Sequence, residues 1–291
     1  MPDYGYLADF HTHTNAMHDR GNARDLYRLA SEWRVSAVAV TDHNSLDGAR
    51  WCYGFARHQK AVAGPGPQMV AGVELSSYIA SDEGADVVRV LGLGIDPFAD
   101  KLSALCDELQ GPSPIRLERS PAHTIEAKGR RRRRVCDFWE KDEAGHEALP
   151  TDRLTMSDAS LCEHAIDRVV DGDGPSVKAR RAIAAIHDAG GIAVLAHPLR
   201  GKTPDKTCDL TRAIWRIDAL AAMGLDGVEC YHRALSLEAC ETLDAITRAR
   251  RLLVSCGSDH HLGHAMCLGV TCADGRNYAY RTDVADALGI A

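Results

Sequence analysis

The stretch Asp9-Phe10-His11-Thr12-His13 closes the first apolar run of the chain and decides how the rest is read. Side chains on a strand alternate with a period of two, so His11 and His13 point to the same side of an extended segment. One cation can take both rings. The pair becomes a site only if further ligands converge on it from elsewhere in the fold.

Working outward from that pair, seven short apolar runs read as strands, over 6–10, 37–41, 69–73, 87–93, 192–196, 227–231 and 252–255. Most are continuous rather than alternating, as parallel strands covered on both faces are. Helical spacing falls over 24–33 and 179–189, the second closed by Gly190-Gly191, where glycine tolerates the left-handed backbone of a helix end. A third helix is predicted over 237–250, with Ser236 as its N-cap. Alternation of strand and helix gives an α/β class and a barrel. The rhythm breaks from about 100 to about 177, which carries no clear strand and includes the arginine run 130–134. The reading is a barrel over 1–99 and 178–291 with an inserted, mainly helical subdomain over 100–177 above one mouth. Those arginines fit phosphate contacts and a solvated face equally well.

The 291 residues suffice for a full core, and 45% hydrophobic with 26% charged residues is ordinary for a globular protein. A formal net charge of -7 argues against general affinity for a nucleic-acid backbone. None of the ten cysteines forms a Cys-x-x-Cys pair. No secretory leader is recognisable after Met1-Pro2-Asp3-Tyr4, so buried thiols in a reducing cytoplasm are expected rather than a disulfide framework. No apolar run reaches the roughly 18 residues of a membrane span.

Polar residues then fall at the strand ends. The first strand ends in His11 and His13, the second in Asp42-His43-Asn44, the third in Glu74 and the fifth in His197-Pro198. The sixth carries Glu229 and leads to Tyr231-His232, and the seventh leads into Gly257-Ser258-Asp259-His260-His261. The C-terminal strand ends of an α/β barrel converge on one mouth, where its active site is built. Imidazoles and carboxylates suit zinc, manganese or iron, and this set is too large for one ion.

These motifs, His11-x-His13, Thr41-Asp42-His43-Asn44, Gly72-Val73-Glu74, Leu195-Ala196-His197-Pro198 and Gly257-Ser258-Asp259-x-His261, resemble the PHP (polymerase and histidinol phosphatase) phosphoesterases. The pattern is most similar to the stand-alone branch that includes a 3′,5′-nucleotide bisphosphate phosphatase, and it spans roughly 5–95 and 178–265. The resemblance implies a distorted seven-stranded β/α (TIM-like) barrel and two or three divalent ions (Mn, Fe or Zn). It assigns one ion to His11, His13, Glu74 and Asp259, a second to Glu74 and His197, and a third to His43, His261 and a residue after His13. The implied reaction is attack of a metal-bound hydroxide on phosphorus, with ions about 3.5–4 Å apart.

Two positions depart from the family pattern. Where the loop after His13 usually supplies an aspartate, a gapless count gives His18, followed by Asp19. Where the fourth strand usually reads His-x-Leu-Gly, the sequence is Arg89-Val90-Leu91-Gly92. A guanidinium cannot bind a metal, so Arg89 is read as a phosphate-binding or charge-replacing residue, or as the partner of Glu74 or Glu229. Arg200 and Lys202 are candidates for a second phosphate or a carboxylate, and His232 for a general acid. The expected substrate is a small phosphorylated metabolite: a nucleotide, a bisphosphate or a cyclic phosphate. Neither a membrane nor a stable nucleic-acid partner is expected, and the sequence leaves the oligomeric state open. The alternatives are an exonuclease trimming short oligonucleotides, and a metal-stabilised binding module without catalysis.

Overall fold

The computed structural model describes residues 7–14, 23–62, 66–81, 84–110, 168–171, 174–199, 210–261, 268–269 and 283–290. In chain order these form β1 (Ala8–His13), α1 (Ala23–Glu32), β2 (Ala37–Val40), α2 (Asp47–Val62), β3 (Gln68–Ser81) and β4 (Gly84–Leu93). There follow α3 (Asp100–Gln110), β5 (Arg168–Asp171), β6 (Gly174–Lys178), α4 (Ala179–Asp188), β7 (Ile192–Leu195) and α5 (Leu210–Ala221). The chain closes with β8 (Gly227–His232), α6 (Leu237–Ala249), β9 (Leu253–Gly257), β10 (His260–His261) and α7 (Asp283–Ala287).

Eight strands follow one path, β10-β1-β2-β3-β4-β7-β8-β9, and the hairpin β5–β6 joins it where β6 runs parallel to β3. The two ends of that path approach each other. The Cys256 thiol of β9 donates to the Ala8 carbonyl of β1 at 3.2 Å. The result is a nearly closed, barrel-like sheet. β1 and β2 are buried along their whole length, as their continuous apolar reading requires. The largest core cluster runs through the barrel strands and takes in Leu102, Leu105 and Leu109 of α3 together with Ile183 and Ile186 of α4. A smaller cluster packs Leu26 and Ala30 of α1 with Trp51 of α2 against Val38 and Val40 of β2.

Local signals hold where they were specific. α4 ends as predicted, with Gly190 at φ +74° and its N–H bonded to the His187 carbonyl. The Ser236 hydroxyl caps α6 by accepting from the Ala239 N–H at 3.3 Å. Three features differ from the sequence reading. β4 is antiparallel to both neighbours, β3 and β7. Its continuous apolar run reports two covered faces and carries no information about direction. The range 100–177 does hold strands, the short hairpin β5–β6. A four-residue strand beside Asp171-Gly172-Asp173-Gly174 gives too short a pattern to read. α2, α3 and α5 also form helices where no helical run was singled out.

Candidate metal centre

Strand direction brings the predicted ligands together. β1, β2, β3, β7, β8 and β9 run the same way, so their C-terminal ends share one mouth. His11 and His13 end β1 with 0% and 2% exposure, and their rings meet edge to face at 5.2 Å. His43 follows β2 and forms an isolated bridge to Glu74 midway along β3. His197 follows β7, and Asp259 and His261 follow β9.

Glu74 is buried at the centre of the group. Its Oε2 lies 3.6 Å from His11 Nε2, 3.6 Å from His13 Nε2 and 2.5 Å from His43 Nδ1. Its other oxygen, Oε1, faces His197 Nε2 at 3.3 Å. Asp259 Oδ1 lies 3.7 Å from His11 Nε2 and 3.2 Å from His13 Nε2. The rings of His43 and His261 stack on His13 at 4.2 and 4.3 Å. Two sets of donor atoms fall within 4.8 Å of one another: His11, His13 and Asp259, and His13, His43 and His261. The second set joins His43 and His261 to His13, whereas the family resemblance assigns them to a different ion.

Backbone strain accompanies these positions. Asn44, His197 and Asp259 adopt φ values of +50°, +32° and +54°. Such a conformation costs of order 1–3 kcal/mol in a residue with a side chain and persists where surrounding contacts fix it. Those contacts are present. The His197 N–H donates to Glu229 Oε2 at 2.7 Å, and the Arg233 guanidinium donates to the Asp259 carbonyl at 3.0 Å.

Burial and charge compete throughout the cluster. Burial alone would depress His11, but Glu229, Glu74 and Asp259 together outweigh it and raise its pKa well above the ordinary value. Burial lowers His13 to about 3, against the pull of Asp259. The charge of Glu74 outweighs burial at His43 and raises it. For Glu74 the balance is the opposite: burial would raise it, while His43 and His11 hold it well below the carboxylate range. Asp259 is likewise held low, by His11 and His13 against burial. Buried carboxylates need positive partners. His11 Nε2 and both His13 ring nitrogens nevertheless make no hydrogen bond. Buried, unsatisfied nitrogens converging on carboxylate oxygens fit a divalent cation.

Three further carboxylates position the cluster. Glu229, fully buried on β8, accepts from His11 Nδ1 at 3.0 Å, which turns His11 Nε2 toward Glu74 and Asp259. Asp9 accepts from the backbone N–H groups of His11, Ser258 and Gly269 and from the Ser258 hydroxyl at 2.6 Å, tying β1 to the Asp259 loop. Asp42 accepts from the Thr14 N–H at 2.7 Å and its hydroxyl at 2.6 Å, which fixes the exit of β1. The sequence reading gave Asp9 and Asp42 no role. A signal for Asp9 existed, since period-two alternation puts it on the same side as His11.

Arg89 of β4 stands opposite Ser76 of β3, and its guanidinium donates to the Ser76 hydroxyl. Asn44, beside His43, both donates to that hydroxyl and accepts from the Ser76 N–H. The Arg89 charge opposes protonation of His43, so the two share one electrostatic neighbourhood. His232, at the end of β8, is buried, and burial lowers it to about 4. Its Nδ1 accepts from the Ala234 N–H at 3.1 Å. His18, Arg200, Lys202 and the arginine run 130–134 lie outside the described residues.

No protein-family model matches the chain. It is 25% identical over 284 residues to a phosphoribosyl 1,2-cyclic phosphate 1,2-diphosphodiesterase of Eggerthella lenta, covering 88% of this chain and 94% of that protein. It is 25% identical over 281 residues to a 5′-3′ exoribonuclease of Escherichia coli, covering 89% of this chain and 86% of that one. Among solved structures, a metal-dependent phosphoesterase of Bifidobacterium adolescentis superposes with a TM-score of 0.58 at 23% identity, over 93% of this chain and 94% of its own. A Chromobacterium violaceum protein described as an amidohydrolase gives 0.55 at 20% identity, over 91% and 93%. The superpositions agree on the barrel, the sequence relatives span nearly the whole chain, and the ligand motifs occupy one mouth of that barrel; together these support a PHP-family phosphoesterase.

Proposed function

We propose that this protein is a metal-dependent phosphoesterase that hydrolyses a small phosphorylated metabolite, with a nucleotide, a bisphosphate and a cyclic phosphate as the substrate classes. The observation that carries the proposal is the convergence of His11, His13, Glu74 and Asp259, buried and with unsatisfied imidazole nitrogens, at one mouth of the barrel. These four would hold one divalent ion. Glu74 presents its second oxygen to His197, which supports a neighbouring ion shared by those two residues. His43 and His261 would complete a third site, with His18 as the further ligand. Manganese, iron or zinc suits this donor set, and when bound would supply Lewis acidity and activation of water.

The chain's own residues orient and hold. Glu229 keeps Nε2 of His11 free to ligate, and Asp9 and Asp42 fix the strand and loop that carry His11, His13 and Asp259. Arg89, aimed by Ser76, is the phosphate-gripping group in this reading, and its permanent charge suits an ester with more than one anionic oxygen. Arg200 and Lys202 would add a second phosphate contact. The segment 100–177 is read as the subdomain beside this mouth. The buried cysteines Cys52, Cys106, Cys230, Cys240 and Cys256 support a reducing, cytoplasmic setting. Among the described residues no helix is long and apolar enough to cross a membrane.

A second reading, removal of nucleotides from the end of a short RNA, is favoured by the exoribonucleases among the relatives. Product release from mononucleotides, bisphosphates, cyclic phosphates and short oligoribonucleotides is the test, run with added Mn²⁺ and with the bound ions counted by elemental analysis. Manganese-dependent turnover of the small esters is expected. Preference for oligoribonucleotides would move the assignment to the exonuclease, and no turnover with ions bound would leave a binding module.

A further inference from the structure

Two buried histidines, His11 and His232, present Nδ1 to partners of opposite kind, an acceptor and a donor. The carboxylate of Glu229 only accepts, so His11 carries a proton on Nδ1, 3.0 Å away, which leaves its Nε2 as the ring atom that faces a cation. His232 is the reverse case. The Ala234 backbone N–H, which only donates, points at His232 Nδ1 at 3.1 Å. Nδ1 must therefore offer the lone pair, and the proton of the neutral ring sits on Nε2. That Nε2–H is buried and makes no hydrogen bond, in a ring that meets His197 edge to face at 6.1 Å.

The wiring removes two roles. An Nε2 that carries a proton has no lone pair for a metal ion. A doubly protonated ring would set two donors, Nδ1–H and the Ala234 N–H, against each other. Donation through Nε2–H is what remains. We propose that His232 is a fixed, neutral hydrogen-bond donor to a phosphoryl oxygen of the ester, in place of the general acid expected from its position in the sequence. The role rests on the phosphoesterase reading. A preorganised donor of this kind acts where negative charge develops and transfers no proton, so its benefit does not depend on the leaving group.

Two measurements test it. In the zinc-loaded protein with ¹⁵N-labelled histidine, long-range ¹H–¹⁵N spectra should report the Nε2–H tautomer of His232 from about pH 6 to 8, across the range where a free histidine titrates. An Nδ1–H tautomer or an imidazolium there overturns the proposal whether or not any ester is turned over. With Mn²⁺ and a series of aryl phosphodiesters, His232→Ala should lower kcat by about 10²-fold or more. The factor should be the same for nitrophenol and phenol leaving groups, with the bound ions unchanged in number. His232→Gln, which keeps a side-chain N–H, should recover a large part of the loss. A loss that grows with leaving-group basicity, loss of an ion, or no loss at all would each overturn the donor role. Wild-type protein silent toward every ester would instead remove the phosphoesterase reading, and the donor role with it, even with the tautomer as expected.

Discussion

Glu229 touches no solvent, yet it governs two histidines at once, through the His11 ring and the His197 backbone. Burial would raise its pKa, and the charge and hydrogen bond of His11 outweigh that and hold it low, so it stays a carboxylate. Space around it is fully used. A Cβ on Gly257 would stand 2.2 Å from Glu229 Oε1 and 2.3 Å from His11 Cβ, so that position of β9 admits only glycine without displacing both groups. Glu229→Ala should leave His11 without the partner that selects its tautomer and orientation. Metal affinity should fall by about 10–100-fold, the range for such supporting carboxylates, measured by competition with a metal-binding dye. Affinity equal to wild type would show that His11 needs no such support.

Among the elements, the reversed β4 and its long hairpin with β3 do most to shape the mouth. Reversal brings Arg89, rather than the end of β4, level with Ser76 just beyond Glu74. The hairpin is locked from outside. Asp86 of β4, 3% exposed, accepts a forked pair of hydrogen bonds from the buried Arg216 of α5 and a second pair from Arg212. Arg216 also reaches the Pro198 carbonyl beside His197, so α5, β4 and the His197 turn are held as one unit. Burial would raise the Asp86 pKa, but Arg216 and Arg212 outweigh it and hold it below the ordinary value. A depressed carboxylate stabilises the fold fully above its unfolded pKa of about 3.9, and that stability is lost as pH falls through the folded value. Asp86→Asn should therefore destabilise by about 3–5 kcal/mol at neutral pH, because it strands a buried guanidinium. Its deficit in urea unfolding should shrink as pH is lowered below about 4. A deficit that does not change with pH would mean that shape, rather than charge, holds the lock.

At the scale of the whole molecule, the centre is assembled from both halves of the chain. Asp9 of β1 binds Ser258 and Gly269, about 250 residues away, with two backbone and one hydroxyl hydrogen bond. Closure of the barrel and assembly of the ligand set are thus one event. An ion bound by the folded protein and not by the unfolded chain must add to stability. Chelation should lower the melting temperature, and Mn²⁺ at a hundredfold excess over its dissociation constant should restore about 2.7 kcal/mol, or about 5–10 °C in calorimetry. A melting temperature indifferent to both treatments would mean that no ion is held by the cluster.

The sequence by itself determined the strand runs, the helix ends at Gly190 and Ser236, and which residue types stand where strands stop. Each of these is local: a burial pattern, a backbone tolerance or a cap is written within a few residues. It also determined that His11 and His13 share a side, since alternation is a property of the strand alone. Tertiary structure decided what depends on contact between distant segments. The direction of β4, the pairing of Arg89 with Ser76, the role of Asp9, and the opposite kinds of partner met by Nδ1 of His11 and of His232 belong to this class. A proton settles on one ring nitrogen according to the partner of the other, and for His11 that partner lies 218 residues along the chain. Only the folded barrel brings such partners into range.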